Sequence, residues 1–156
     1  MSDIRYTQLI DLINDNPNII ETIKEQYLLL LSELTSTSYI ETTLFLKNIE
    51  RISEIGAIVV GIIGNSSSNI EIIASGTIII EPKIIREGKN VGHIEDIVVC
   101  KDMRYKGISS KIINILKSIA RENNCYKVIL DCDIELKKFY IKNGFNIKGI
   151  QMVEYF

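Results

Sequence analysis

The sequence predicts an α/β fold in which helices pack on a mixed sheet, and three observations carry that reading. Two apolar runs of strand length, Gly56 to Ile63 and Glu71 to Ile80, flank a short polar segment, as the arms of a hairpin do. Further on, Ile112, Ile113, Leu116, Ile119 and Ala120 recur at spacings of 1, 3, 3 and 1, which is one helical face. Strand-like and helix-like segments then alternate through residues 93–155, the order of a layered α/β domain.

Taken in order, Gln8 to Ile13 reads as an edge strand or a helix, and the sequence leaves both open. Ile19 to Leu34 and Ile40 to Ile52 read as helices. Asn65-Ser66-Ser67-Ser68-Asn69 is the hairpin loop, and Pro82 ends the second arm. His93 to Val99 begins polar and ends apolar, a third strand. Ser109 or Ser110 can cap the following helix, and Asn123-Asn124 can end it. Val128 to Leu130 reads as a short buried strand. Asp133 can cap a helix with Leu136, Phe139 and Tyr140 inward, stopped at Asn143-Gly144. Phe145 to Tyr155 reads as a closing strand.

At 156 residues the chain suits one domain, 1–156, with no linker or internal repeat to divide it. Hydrophobic residues at 46% and charged residues at 24% match an ordinary soluble globule. A net charge of −2 argues against nucleic acid or an anionic membrane as the main partner. No apolar run has the roughly 18–20 residues of a membrane span, and residues 1–15 lack the features of a signal peptide. Cys100, Cys125 and Cys132 lack zinc-site spacing and read as reduced thiols of a cytoplasmic protein. No metal is expected.

The first segment with chemistry in it is Arg104-Tyr105-Lys106-Gly107-Ile108-Ser109-Ser110, between a strand and a helix. A tight turn opening a helix presents unpaired N–H groups with the helix dipole behind them, which suits a pyrophosphate. Gly107 lets the backbone approach closely, and Arg104 and Lys106 add positive charge.

Arg104-x-x-Gly107-x-Ser109 resembles the R/Q-x-x-G-x-G/A motif of the GNAT acetyltransferases, which hold coenzyme A there. It departs at Ser109, which replaces Gly or Ala, and at Tyr105, where many members have glycine. A narrower resemblance spans roughly residues 27–153. Gly92-His93-Ile94-Glu95-Asp96-Ile97-Val98-Val99 is similar to the GHIEDI-V segment of the glucosamine 6-phosphate N-acetyltransferases. Cys125-Tyr126-Lys127-Val128-Ile129-Leu130-Asp131-Cys132 is similar to their CYK-ILDC segment. Leu34-Thr35, Ile78 to Ile85, Phe139-Tyr140, Gly144-Phe145, Gly149 and Met152 keep the spacing of that family.

The resemblance implies a mixed, mostly antiparallel central sheet flanked by helices, with acetyl-CoA as co-substrate. It also implies a homodimer with shared active sites, in amino-sugar metabolism leading to UDP-GlcNAc. The strand at Ile97, Val98 and Val99 should splay from its neighbour and free amides for the pantetheine arm. A sugar amine near the α-amino reference of about 7.7–8.0 needs only a weak base, with Glu95 or Asp96 as anchor. Tyr140, a phenol of pKa about 10, is expected to stabilise the leaving thiolate, and Asp131 lies near the amino sugar. For the sugar phosphate the resemblance points to Thr35, Lys83, Ile84, Ile85, Arg86, Tyr126 and Lys127. Arg86 stands where histidine is common, Leu136 replaces a coenzyme-contacting asparagine, and Glu154-Tyr155 replaces an arginine. Two other readings remain at this stage: a GNAT enzyme for a different amine, and a non-catalytic acyl-CoA-binding module.

Overall fold

The computed structural model describes residues 3–64 and 69–156. The segment before residue 14 resolves its two alternatives by adopting both. Arg5–Gln8 forms β1 and Leu9–Asp15 forms α1, with Leu9, Leu12 and Ile13 buried at helical spacing. Helices α2 (Ile20–Leu31) and α3 (Thr42–Ile55) follow. The strands β2 (Gly56–Ile63) and β3 (Glu71–Pro82) come next, and residues 65–68 of the expected hairpin loop lie outside the described residues. Then come β4 (Asn90–Val99), α4 (Ile108–Glu122), β5 (Cys125–Ile129) and α5 (Lys137–Lys142).

The five strands lie in the order β1-β2-β3-β4-β5. Neighbours from β1 to β4 are antiparallel, and β5 runs parallel to β4 through the α4 crossover. Alternation along the strands sorts side chains to two faces. Ile58, Val60 and Ile62 pack under α1–α3 with Tyr27 and Phe45, while Ala57, Val59, Ile73 and Ile78 pack under α4 with Ile112 and Leu116. The Gln26 side chain ties α2 to the sheet by accepting from Ile72 N at 3.0 Å and donating to Ile70 O at 2.9 Å.

Two irregularities in β4 shape its outer half. Between Thr77↔Glu95 and Ser75↔Val98 the β4 side carries one extra residue, a bulge, and Asp96 takes a left-handed backbone (φ 52°). Glu95 and Asp96 therefore do not alternate across the strand: both are exposed, and neither faces the core. On the other edge, β4 pairs with β5 only from Asn90 to His93, so Ile94 to Val99 has no partner strand there. The pairing stops where β5 itself ends, at Ile129, and the stretch expected to splay, Ile97 to Val99, lies beyond it.

Other expectations are corrected. Neither Ser109 nor Ser110 caps α4: the helix begins at Ile108 with left-handed Gly107 (φ 79°) at the N-cap and no side-chain cap. The strand expected at Val128–Leu130 runs from Cys125 to Ile129, and as an edge strand it exposes Tyr126, Lys127 and Ile129. Asp133 precedes a single 3-10 turn, Ile134–Leu136, without a side-chain cap, and Leu136 is exposed. Residues 145–156 form no strand: Gly149 (φ 80°) turns the chain, and no strand among the described residues pairs with them. The stops at Asn123-Asn124 and Asn143-Gly144 hold, with Asn124 and Gly144 both at positive φ. No helix among the described residues is long and apolar enough to cross a membrane.

Candidate active site

The divergence of β4 from β5 opens a cleft of about 420 Å³. It is lined by Ile94, Glu95, Asp96 and Ile97 of β4, by residues 130–133 after β5, by Tyr140, and by Leu34 and Thr35 beyond α2. The bulge explains why two consecutive carboxylates, Glu95 and Asp96, both meet the opening. Burial raises the Glu95 carboxyl above its ordinary range, the charges of Asp96 and Asp131 push the same way, and His93 opposes them. A carboxylate shifted in that direction is a better proton acceptor near neutral pH.

Tyr140 is buried at the cleft wall, within an aromatic cluster. Its ring meets Phe139 at 5.0 Å and Phe145 at 5.9 Å between centroids, both edge-on. The cluster is fastened to α4 by Lys117, whose ammonium donates to the Asn143 carbonyl and lies 4.3 Å from the centre of the Phe145 ring. Burial, and then the nearby Cys132 thiol, raise the Tyr140 phenol, so it stays protonated at neutral pH and can donate. At the mouth, Gln151 Nε2 donates to Asp131 Oδ2 at 2.7 Å.

The turn ahead of α4 lies at the far end of the unpaired edge. Tyr105 (φ 63°) and Gly107 (φ 79°) both adopt left-handed backbone, and Tyr105 is fully exposed. A Cβ at Gly107 would meet no atom within 4 Å, so this backbone is open to an approaching group. Ile108 is buried in the core, and its amide, with those of Ser109 and Ser110, belongs to the first turn, where N–H groups have no partner within the helix. Val98 and Val99 are likewise buried, and no β5 residue pairs with them. Lys106 Nζ donates to Asp102 O at 3.1 Å. Arg104 is committed within the protein: its Nε donates to Val99 O at 3.2 Å and its Nη2 to Glu33 Oε2 at 3.1 Å. This open turn and edge fit a pyrophosphate and an extended pantetheine arm.

The expected phosphate residues are not all brought to the cleft; Thr35 alone among them lines it without also being a proposed acid or base. Arg86 and Lys127 flank the Tyr126 ring, 5.8 and 5.5 Å from its centre. That places two cations against one aromatic ring at the start of β5, the length of the strand from Asp131. Lys83 is paired with Glu81, which also holds His93 Nε2 at 2.7 Å; Lys83 first and then His93 lower the Glu81 carboxyl. Ile84 and Ile85 are exposed on the same loop, where Arg86, Glu87 and Gly88 take positive φ in succession. Sequence reasoning missed Gln151 and Glu33, which carry no local signal. It passed over Cys132, although Cys132 stands in a segment already singled out.

A mixed sheet opened along one edge, with a left-handed turn at a helix start beyond it, defines an acetyltransferase of the GNAT class. The chain belongs to the acetyltransferase (GNAT) family, whose profile matches residues 28–145. It is similar to the glucosamine 6-phosphate N-acetyltransferase of Arabidopsis thaliana, at 36% identity over 85% of this chain and 89% of that one. A probable glucosamine 6-phosphate N-acetyltransferase of Oryza sativa is 47% identical over 54% of this chain, and the match spans about half (51%) of that protein. The crystal structure of the Arabidopsis thaliana enzyme superposes with a TM-score of 0.82 at 31% identity, covering 99% of each chain. The resemblance drawn from the motifs is borne out.

Proposed function

We propose that this protein transfers the acetyl group of acetyl-CoA to the amine of D-glucosamine 6-phosphate, giving N-acetyl-D-glucosamine 6-phosphate and CoA. One observation carries the reading. Glu95, Asp96 and Asp131 share a cleft with the buried phenol of Tyr140, at the unpaired edge of β4. That combination supplies proton acceptors for an amine on one side and a proton donor for a thiolate on the other.

When bound, the coenzyme supplies an acetyl group activated as a thioester. Residues 104–110 receive its pyrophosphate on backbone amides, and those amides between Ile97 and Val99 that point to the open edge hold and polarise the acyl arm. Asp131 orients the amino sugar, and Glu95 or Asp96 takes the amine proton directly or through water. Tyr140 donates to the departing sulfur. No nucleophilic side chain is needed, which agrees with direct transfer.

Thr35, the Lys83–Arg86 loop, Tyr126 and Lys127 form the phosphate side of the site. With Lys83 neutralised by Glu81, the working cations are Arg86 and Lys127. They lie apart from the cleft, and a homodimer that shares its active sites brings such a cluster to a neighbouring cleft. The exposed Ile150, Met152, Val153, Tyr155 and Phe156, in a segment with no partner strand, support that assembly. The working unit is a single domain over residues 1–156, in a cytoplasmic enzyme supplying UDP-GlcNAc synthesis.

Charged hydrogen bonds contribute about 1.5–3 kcal/mol each, so two such contacts favour glucosamine 6-phosphate over glucosamine by roughly 10²–10⁴ in kcat/KM. Thiol release measured with the two sugars side by side tests this. Near-equal values would mean a GNAT enzyme for another amine.

A further inference from the structure

The loop between α2 and α3 is tied down at both ends. At its far end Lys24, only 4% exposed, pairs with Glu21 at 2.7 Å, donates to Thr42 Oγ1 at 2.6 Å and lies 5.3 Å from the Tyr39 ring centre. At its near end, just past α2, Glu33 Oε2 accepts from Arg104 Nη2 at 3.1 Å and stands 3.4 Å from Lys101 Nζ. Both of those cations belong to the link between β4 and α4, immediately before Gly107. The same guanidinium donates through Nε to the carbonyl of Val99, the last residue of the unpaired β4 edge. Leu34 and Thr35, the two residues after Glu33, line the cleft.

We propose that Glu33 is a positioning residue that straps the acceptor loop to the coenzyme turn through Arg104 and Lys101, and so couples the two substrate sites. The strap works in opposite senses on the two sides. It fixes Thr35 and Leu34 against the edge of β4, which orders the acceptor side. It also occupies two of the turn's cations and sets a carboxylate near the place where a pyrophosphate is expected, which weakens the coenzyme side. Arg104 thus serves as the bridge between loop and strand, with its charge shared between Glu33 and any bound coenzyme.

The inference rests on the coenzyme turn proposed above, and its test separates the two. CoA affinity is measured by calorimetry for the parent, Glu33→Gln and Glu33→Asp; hydrogen exchange of residues 32–41 and the KM for glucosamine 6-phosphate are followed in parallel. Glu33→Gln is expected to bind CoA about 3–10-fold more tightly, to raise the KM for the amino sugar about 3–10-fold, and to exchange faster across 32–41. Glu33→Asp keeps the charge but not the reach, so it should loosen the loop while its CoA affinity stays within about twofold of the parent. General damage to the fold would weaken both substrates together, so opposite changes are the diagnostic result. Glu33→Gln with weaker or unchanged CoA binding, or with parental exchange, overturns the strap. A parent that fails to bind CoA overturns the coenzyme reading and the coupling with it, while the exchange data still report whether Glu33 holds the loop.

Discussion

Chemistry at the residue scale divides between an acidic side and a phenol. Tyr140 is kept protonated by its burial and aimed by its aromatic neighbours, so removing its hydroxyl should strike the departure of the thiolate and little else. Tyr140→Phe is expected to lower kcat by roughly 10²–10⁴ with the acetyl-CoA KM little changed. A variant within about threefold of the parent would remove the tyrosine from the mechanism. On the acidic side, Asp131 adds to the upward push on Glu95. In the proposed mechanism with Glu95 as the acceptor, it must be ionised to take a proton, so activity is expected to fall as pH drops through its raised pKa. Replacing Asp131 by Asn deletes a like charge and lowers that pKa, which moves the acid limb of the kcat profile to lower pH. A shift to higher pH in Asp131→Asn would contradict the assignment of Glu95.

At the scale of elements, the decisive feature is how β3 and α4 accept the bulge in β4. Opposite the bulge stands Gly76, where a Cβ would come 2.5 Å from Ile97 Cδ1, 2.6 Å from Ile112 Cγ2 and 3.1 Å from Leu116 Cδ1. The space is taken by the side chain that follows Asp96, so the missing Cβ lets Ile97 seat against α4 while Glu95 and Asp96 turn to the cleft. Gly76→Ala should cost about 1–3 kcal/mol by overpacking, read by urea unfolding, and should depress kcat/KM for acetyl-CoA. Adding Ile97→Val deletes Cδ1 and should restore part of both. A Gly76→Ala protein with parental stability and activity would show that the bulge does not need this socket. The helices illustrate the same dependence. The period of Ile112, Ile113, Leu116 and Ala120 is legible in the sequence because a helix face needs only local spacing. The start of α4 is not, since Gly107 in left-handed backbone, rather than either serine, precedes the first turn.

For the whole molecule, the open question is what covers residues 145–156. Ile150, Met152, Val153, Tyr155 and Phe156 are exposed within one short segment, and Ile84 and Ile85 are exposed elsewhere. A two-fold dimer would cover that segment and give it a strand partner. Light scattering at micromolar concentration should give twice the chain mass, and dilution should lower specific activity as the dimer separates. A fully active monomer would rule the assembly out. Truncation after Gly149 offers an independent check, expected to abolish the dimer while leaving both cores intact, because no residue beyond 149 contributes to either cluster.

By itself the sequence determined the class of fold, the strand runs Gly56 to Ile63 and Glu71 to Ile80, and the face of α4, and it singled out Glu95, Asp96, Asp131 and Tyr140, which line the cleft. Those are matters of local period, or of motifs whose spacing the backbone preserves. Tertiary structure alone decided that Glu95 and Asp96 face the same way and that Phe145 to Tyr155 stays unpaired. It alone brought Glu33 to Arg104, 71 residues apart in the chain. The physical reason is common to all three. A bulge, an unpaired edge and an ion pair are each settled by what a distant segment presents at contact distance, and no local pattern of residues encodes that.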